Sequence, residues 1–295
     1  MKDQSKTPQT PTVINVPKSL VRTAQVTQAI STTLAASLAW RWFLTPFKFK
    51  IPKREIPFEG IFDGPEYIKH QRGLSYPMYT LGQGYRKILL VHGWAGRFSQ
   101  LGEIIENLET ANPNLLEEYT IIGFNALAHR GAEGKRTMMP EIATCVAELA
   151  NIHGGFDAVI AHSLGANAVL YANQELGAPI KKQVLIAPPG RISAMVHLFC
   201  DTIGFNDKVK ERMIWMMKSK FGEDFDRHSA PELAKTNIVD TLVFHDLNDN
   251  DTPIELGREV GKNMQCGRYI ETKGLGHRRI LRDKTVAKEI ANFLF

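Results

Sequence analysis

Phe156-Asp-Ala-Val-Ile-Ala-His-Ser163-Leu-Gly165-Ala-Asn-Ala168 decides the fold. A run of β-branched and aliphatic residues reaches a serine, and an alanine-rich helical stretch starts directly after it. Such a join is a sharp strand-to-helix turn with Ser163 at its tip. Strand and helix approach closely at the turn, so only small residues fit two before and two after the serine. Ala161 and Gly165 meet that demand. A strained backbone here lifts the hydroxyl out of the sheet. The helix that follows brings its positive end beneath Ser163, so the Leu164 N–H can face a developing oxyanion. Serine is also a favoured helix N-cap, and Ser-x-Gly alone leaves that reading open.

Around this turn the chain alternates between strand and helix. Short aliphatic runs predict strands at Ser75–Leu81, Lys87–Val91, Tyr119–Phe124, Phe156–Ala161, Gln183–Ala187, Asn237–Phe244 and Arg268–Glu271. Helical patterns fall at about 98–109, 139–152, 164–175, 254–263 and 284–294. Repeated β-α-β units with nearly continuous apolar strands predict an α/β fold, a mostly parallel sheet with helices on both faces. Residues 189–236 break the rhythm and read as a helical cap inserted into the main domain, 51–295. The cap is rich in Met195, Phe199, Met213, Trp215, Met216 and Met217, which suit an adaptable apolar surface.

Two further motifs lie at predicted strand ends. Ile88-Leu-Leu-Val-His92-Gly93-Trp94-Ala95-Gly96-Arg97 opens a strand into a glycine-containing turn, where the Trp94 N–H is the natural second oxyanion donor. His92 reads as structural. The last two strands lead into His245-Asp246-Leu-Asn-Asp249-Asn-Asp251-Thr-Pro253 and Lys273-Gly-Leu-Gly276-His277-Arg-Arg279. A serine hydroxyl is barely ionised at neutral pH and needs an imidazole to take its proton. The imidazole in turn needs a carboxylate to fix its tautomer. His277 supplies the imidazole, and Asp246, Asp249 and Asp251 are the candidate acids. His162 adjoins Ser163 but points away at such a turn. His129 either lines the pocket or supports it. The Asp246, Asn248, Asn250 spacing imitates a calcium loop, yet Asp251 and Gly257 stand where glycine and glutamate would be needed.

Over roughly residues 75–295 the sequence resembles the α/β-hydrolase superfamily. The His92 to Arg97 turn is similar to its oxyanion motif, and Ala161-His162-Ser163-Leu164-Gly165 to its nucleophile elbow. His245 to Pro253 resembles the segment that carries its acid, which aligns Asp249, and Gly274 to Leu281 resembles its histidine loop. Ala161, Asp246 and Thr252 depart from the usual Gly, Gly and Val, and none of the three is a catalytic group. The resemblance implies a serine hydrolase with Ser163, Asp249 and His277 as triad and Trp94 and Leu164 as oxyanion donors. It would act on a small-molecule carboxylic ester or thioester through an acyl-enzyme, with no cofactor or metal. Acyl transfer on the same triad, peptidase action and a non-catalytic interaction protein are the competing classes.

Composition narrows the field. A formal charge of +5 over 295 residues is too small an excess to suggest nucleic-acid binding. Cys145, Cys200 and Cys266 are far apart and odd in number, which argues against a disulfide framework or a zinc site. That and the lack of a secretory signal predict a cytoplasmic protein. Residues 1–18 read as disordered, and 19–45 as one amphipathic helix ended by Pro46. Val26, Ile30, Leu34, Leu38 and Trp42 form its apolar stripe, which packs on the protein's own surface or serves residues 20–46 in weak membrane-surface association. Residues 51–66 read as an extended linker.

Overall fold

The computed structural model describes residues 16–295. The expectation of disorder up to residue 18 falls mostly outside the described residues, and Lys18 already opens a helix. Eight strands form one sheet: β1 Asp63–Lys69, β2 Ser75–Leu81, β3 Arg86–Val91, β4 Tyr119–Phe124, β5 Phe156–His162, β6 Ile180–Ile186, β7 Asp240–Asp246 and β8 Gly267–Thr272. Their spatial order is β1-β2-β4-β3-β5-β6-β7-β8. β2 runs antiparallel to both β1 and β4, and all other neighbours are parallel. The helices are α1 Lys18–Ile30, α2 Thr32–Phe43, α3 Ile56–Gly60, α4 Gly102–Ala111, α5 Leu115–Glu118 and α6 Met139–His153. They continue with α7 Leu164–Leu176, α8 Ile192–Ile203, α9 Asp207–Phe221, α10 Ala230–Ala234, α11 Ile254–Asn263, α12 Gly276–Arg279 and α13 Lys284–Leu294.

Side chains alternate across the sheet because a strand has a period of two. Leu89, Val91, Val159, Ala161 and Val243 point to the layer holding α6, α7 and α11. Ile88, Leu90, Ala158, Ile160 and Phe244 point to the layer holding α4 and α13. Both faces are covered, so the central strands are apolar throughout.

The order reverses beside β3: β4 lies on one side of it and β5 on the other. The two crossovers therefore leave a crevice at the carboxyl ends of β3 and β5, the usual ligand position in open α/β sheets. Val91 and Ala161 are register partners there. Two residues further on, the chain has reached Gly93 from one strand and Ser163 from the other.

Three expectations need correction. The single helix over 19–45 is two helices, because Ser31 is extended (φ −160°, ψ 124°) and its Oγ accepts from the Leu34 N–H. Serine favours capping over helix interiors for this reason. The stripe that packs is not the predicted one. Ala24, Ala35, Ala36 and Ala39 are fully buried against Val196, Val209 and Met213 of the cap, while Val26, Ile30 and Leu34 face solvent. The linker over 51–66 holds helix α3 and the start of β1. β1 gave no alternating signal because it is an edge strand with Gly64-Pro65 and a single buried side chain, Ile68.

Candidate active site

The β5–α7 turn carries Ser163 with φ +53° and ψ −124°, a conformation that non-glycine residues adopt only when the surroundings enforce it. The enforcement is visible. The Ser163 N–H donates to Ile186 O at 2.8 Å, and its carbonyl accepts from Ala166 N–H at 2.9 Å. Gly165 leaves no room for a larger residue: a Cβ there would lie 2.6 Å from His92 O. Ser163 makes no side-chain capping bond, and its backbone lies outside the extended region of an N-cap, so the capping reading is set aside.

The β3 turn lies against this elbow. A Cβ on Gly93 would fall 2.8 Å from the Ser163 Cβ, which ties glycine to this position. Two buried histidines fix the turn. His92 Nδ1–H donates to Gly93 O at 2.7 Å, and its Nε2 accepts from Ala126 N–H at 3.0 Å. His129 Nδ1–H donates to Leu127 O at 3.0 Å, and its Nε2 accepts from Ala95 N–H at 3.1 Å. Each imidazole uses one nitrogen as donor and the other as acceptor, which requires the neutral form. Burial reinforces this, pushing His92 down to about 3 and His129 to about 4. His129 thus supports the turn and does not line the pocket. The N–H groups of Trp94 and Leu164 have no acceptor among the described residues.

Of the three candidate acids, Asp249 meets the histidine. Its Oδ2 lies 2.7 Å from His277 Nδ1, and its Oδ1 accepts from the N–H groups of Asp251 and Thr252 at 2.9 and 2.8 Å. Its side chain is fully buried and that of His277 is nearly so. Asp251 turns outward to Arg278, at 3.3 Å. Asp246 has a different task, which sequence reasoning missed. It accepts from the N–H groups of Asn248, Leu275 and Gly276 and from the Thr272 hydroxyl, so it ties the acid loop to the histidine loop. Burial alone would raise its carboxyl, but these four bonds outweigh burial and hold it below the usual range. Aspartate in place of the resembled family's glycine was the available signal. His162 lines the same cavity: its ring packs 4.6 Å from that of His277, and its Nε2–H donates to the His277 carbonyl at 2.9 Å, so it braces the histidine loop. Burial and the facing His277 hold the His162 imidazole well below its usual range.

Ser163, His277, Trp94 and Leu164 line one cavity of about 1030 Å³. This is at the upper end of the roughly 300–1,000 Å³ common for small-molecule sites. Met195, Phe199, Met217 and Phe225 of the cap region and Trp42 and Phe43 of α2 make its roof apolar. A buried ion pair, Arg97 with Glu55 at 2.6 Å, sits in its wall and was not foreseen. No hydrogen bond joins Ser163 to His277 among the described residues.

Among those residues, one His/Cys/Glu group brings its donor atoms within 4.8 Å of one another: His70, Cys145 and Glu148, away from this cavity. Most of its polar atoms are engaged, while the buried His70 Nε2 has no hydrogen-bond partner among the described residues. His70 Nδ1 accepts from the Arg72 N–H, Glu148 accepts from the Gln71 N–H and the Tyr76 hydroxyl, and burial holds the Cys145 thiol neutral.

Comparison with known proteins bears on the fold. No family model matches the sequence, and no curated protein matches it. Many solved structures do. Est1E from Butyrivibrio proteoclasticus, with ferulic acid bound, superposes with a TM-score of 0.60 at 15% identity, over 78% of this chain and 97% of that one. An esterase from Exiguobacterium antarcticum gives 0.58 at 14% identity, over 78% and 99%. A monoacylglycerol lipase from Paleococcus ferrophilus gives 0.56 at 17% identity, over 74% and 98%. The chain has the α/β-hydrolase fold. No helix among the described residues is long and apolar enough to cross a membrane.

Proposed function

We propose that the protein is a serine hydrolase of carboxylic esters or thioesters that works through an acyl-enzyme. The observation that carries this is the contact of His277 Nδ1 with the buried Asp249 carboxylate, in the cavity that also exposes Ser163. Asp249 Oδ2 accepts a hydrogen bond from His277 Nδ1–H, which leaves Nε2 as the basic nitrogen. Ser163 attacks the acyl carbon as His277 Nε2 takes its hydroxyl proton. The carbonyl oxygen becomes an oxyanion that the free N–H groups of Trp94 and Leu164 receive. His277 then protonates the leaving alcohol or thiol, and water hydrolyses the acyl-Ser163 by the same steps in reverse. The serine–histidine hydrogen bond of such sites often tightens only when substrate is bound, which accommodates its absence here. Esterases and a monoacylglycerol lipase of like fold support acyl-ester chemistry as the reaction class.

The test is covalent labelling. A fluorophosphonate should add to the folded protein once, and peptide mass analysis should locate the adduct on Ser163. A folded protein that stays unlabelled, or is labelled elsewhere, would remove this reading.

A further inference from the structure

The cavity opens beside a segment the mechanism does not use. Helix α2 stops at Phe43, and Leu44 is fixed below it by the Thr137 N–H, which donates to the Leu44 carbonyl at 2.9 Å. Beyond this anchor runs Phe47-Lys48-Phe49-Lys50-Ile51-Pro52-Lys53-Arg54, which belongs to no helix or strand before Lys53. Aromatic and basic residues alternate along it. Phe47 is 50% exposed and Phe49 66%, so neither is held by packing. Lys48, Lys50 and Lys53 are exposed and form no ion pair among the described residues; Arg54 pairs with Glu55 at 3.5 Å. No exposed carboxylate lies within the segment. Glu103 and Glu106 also line the cavity, but neither forms an ion pair with a cation of the strap among the described residues.

The strap also borders the cavity itself. Phe47, Phe49 and Lys50 line it, as does the half-exposed Leu198 of α8. Of the two readings of residues 20–46, own-surface packing and weak membrane-surface association, the aromatic end of α2 follows the first. Trp42 packs 6.0 Å from Phe205 and Phe43 packs 5.3 Å from Phe199, so these rings serve the cap.

We infer that residues 47–54 dock the protein on an anionic lipid surface, with Phe47 and Phe49 entering the interface and Lys48, Lys50 and Lys53 meeting the headgroups. Exposed aromatic rings beside a row of unpaired cations suit the bilayer interface, where an apolar zone lies beneath negative charge. A folded acidic protein would satisfy the cations but not the two rings. The docked orientation faces the cavity mouth toward the lipid, so the substrate class is an acyl ester or thioester drawn from the membrane. That last step rests on the hydrolase reading; the docking does not.

Sedimentation with vesicles separates the two. The full-length protein is mixed with phosphatidylcholine vesicles or with vesicles containing one quarter phosphatidylglycerol, at low and at high salt. It should sediment with the anionic vesicles at low salt and be released by high salt. Each lysine near such a surface changes partitioning about fivefold, so the double variant Lys48→Glu, Lys53→Glu should bind at least about 25-fold more weakly. Phe49→Ser should also weaken binding, and this loss should persist at every salt concentration. Ser163→Ala should bind as the parent does, since docking needs no turnover. Circular dichroism establishes that each variant is folded. Three results would overturn the inference: no sedimentation with anionic vesicles at low salt, equal binding by the charge-reversed variant, or salt-sensitive binding to a single-stranded oligonucleotide without binding to vesicles.

Discussion

Asp249 Oδ2 lies 2.7 Å from His277 Nδ1, across 28 residues of sequence and two neighbouring strand ends. Both partners are held from behind. The Asp249 carboxylate receives two backbone N–H groups, and the loop bearing His277 is tied by Asp246 and by His162. Removing the negative charge at the first contact should damage turnover with little effect on the fold. Asp249→Asn should lower kcat by about 10⁴, since the amide favours the wrong imidazole tautomer. Steady-state kinetics on a soluble short-chain ester measures this, and a loss below tenfold would assign the acid elsewhere.

Asp246 holds the acid and histidine loops together through its hydrogen bonds. Asp246→Asn keeps part of its hydrogen-bonding capacity, while Asp246→Ala strands several donors. The alanine variant should be less stable by about 2–3 kcal/mol and should also lose kcat. Chemical denaturation combined with kinetics checks it. Partial rescue of both quantities in the asparagine variant is expected.

Gly93 bears on geometry. Its missing Cβ would stand 2.8 Å from the Ser163 Cβ. Gly93→Ala must shift the elbow or the turn, and a displacement near 1 Å costs about 10² in rate at such a site. The expected outcome is a fall of that size in kcat/KM, with slowed but retained labelling of Ser163.

Stability should depend on pH through the two histidines under the turn. In the unfolded chain a histidine titrates near 6.5, whereas His92 is pushed down to about 3 and His129 to about 4. Between these values the unfolded chain binds more protons, so stability falls as pH drops from about 6.5. At pH 5 each histidine should have cost about 2 kcal/mol. Denaturant midpoints at pH 7.5 and pH 5 test this. A His129→Gln variant, which can still donate and accept, should show a smaller change between the two.

Much of this site is legible in the chain because its parts are local. Each motif is a short run at a strand end, and strands buried on both faces announce themselves by unbroken aliphatic sequence, as Ile88–Val91 and Ala158–Ala161 do. The choice of Asp249 over Asp246 and Asp251 came from its position past the strand and from the resemblance, since the three lie close together in sequence and their directions are set by bonds made after folding. Edge strand β1 was hidden because it buries only Ile68. The break at Ser31 and the packing of Ala24, Ala35, Ala36 and Ala39 were hidden too. Small residues carry little hydrophobic signal, yet they let helices approach closely, and the larger Val26, Ile30 and Leu34 were left facing water. The Glu55–Arg97 pair joins residues 42 positions apart, and nothing in either local run marks it.

The central claim is that Ser163 performs the chemistry, and replacing that hydroxyl tests it most directly. Ser163→Ala is to be compared with the parent protein in hydrolysis of p-nitrophenyl butyrate, with matched circular dichroism and thermal midpoints. A loss in kcat of at least about 10⁴ is expected, toward the roughly 10⁶ found when a nucleophile is removed from an intact triad. A folded Ser163→Ala protein whose turnover stays within tenfold of the parent would contradict it.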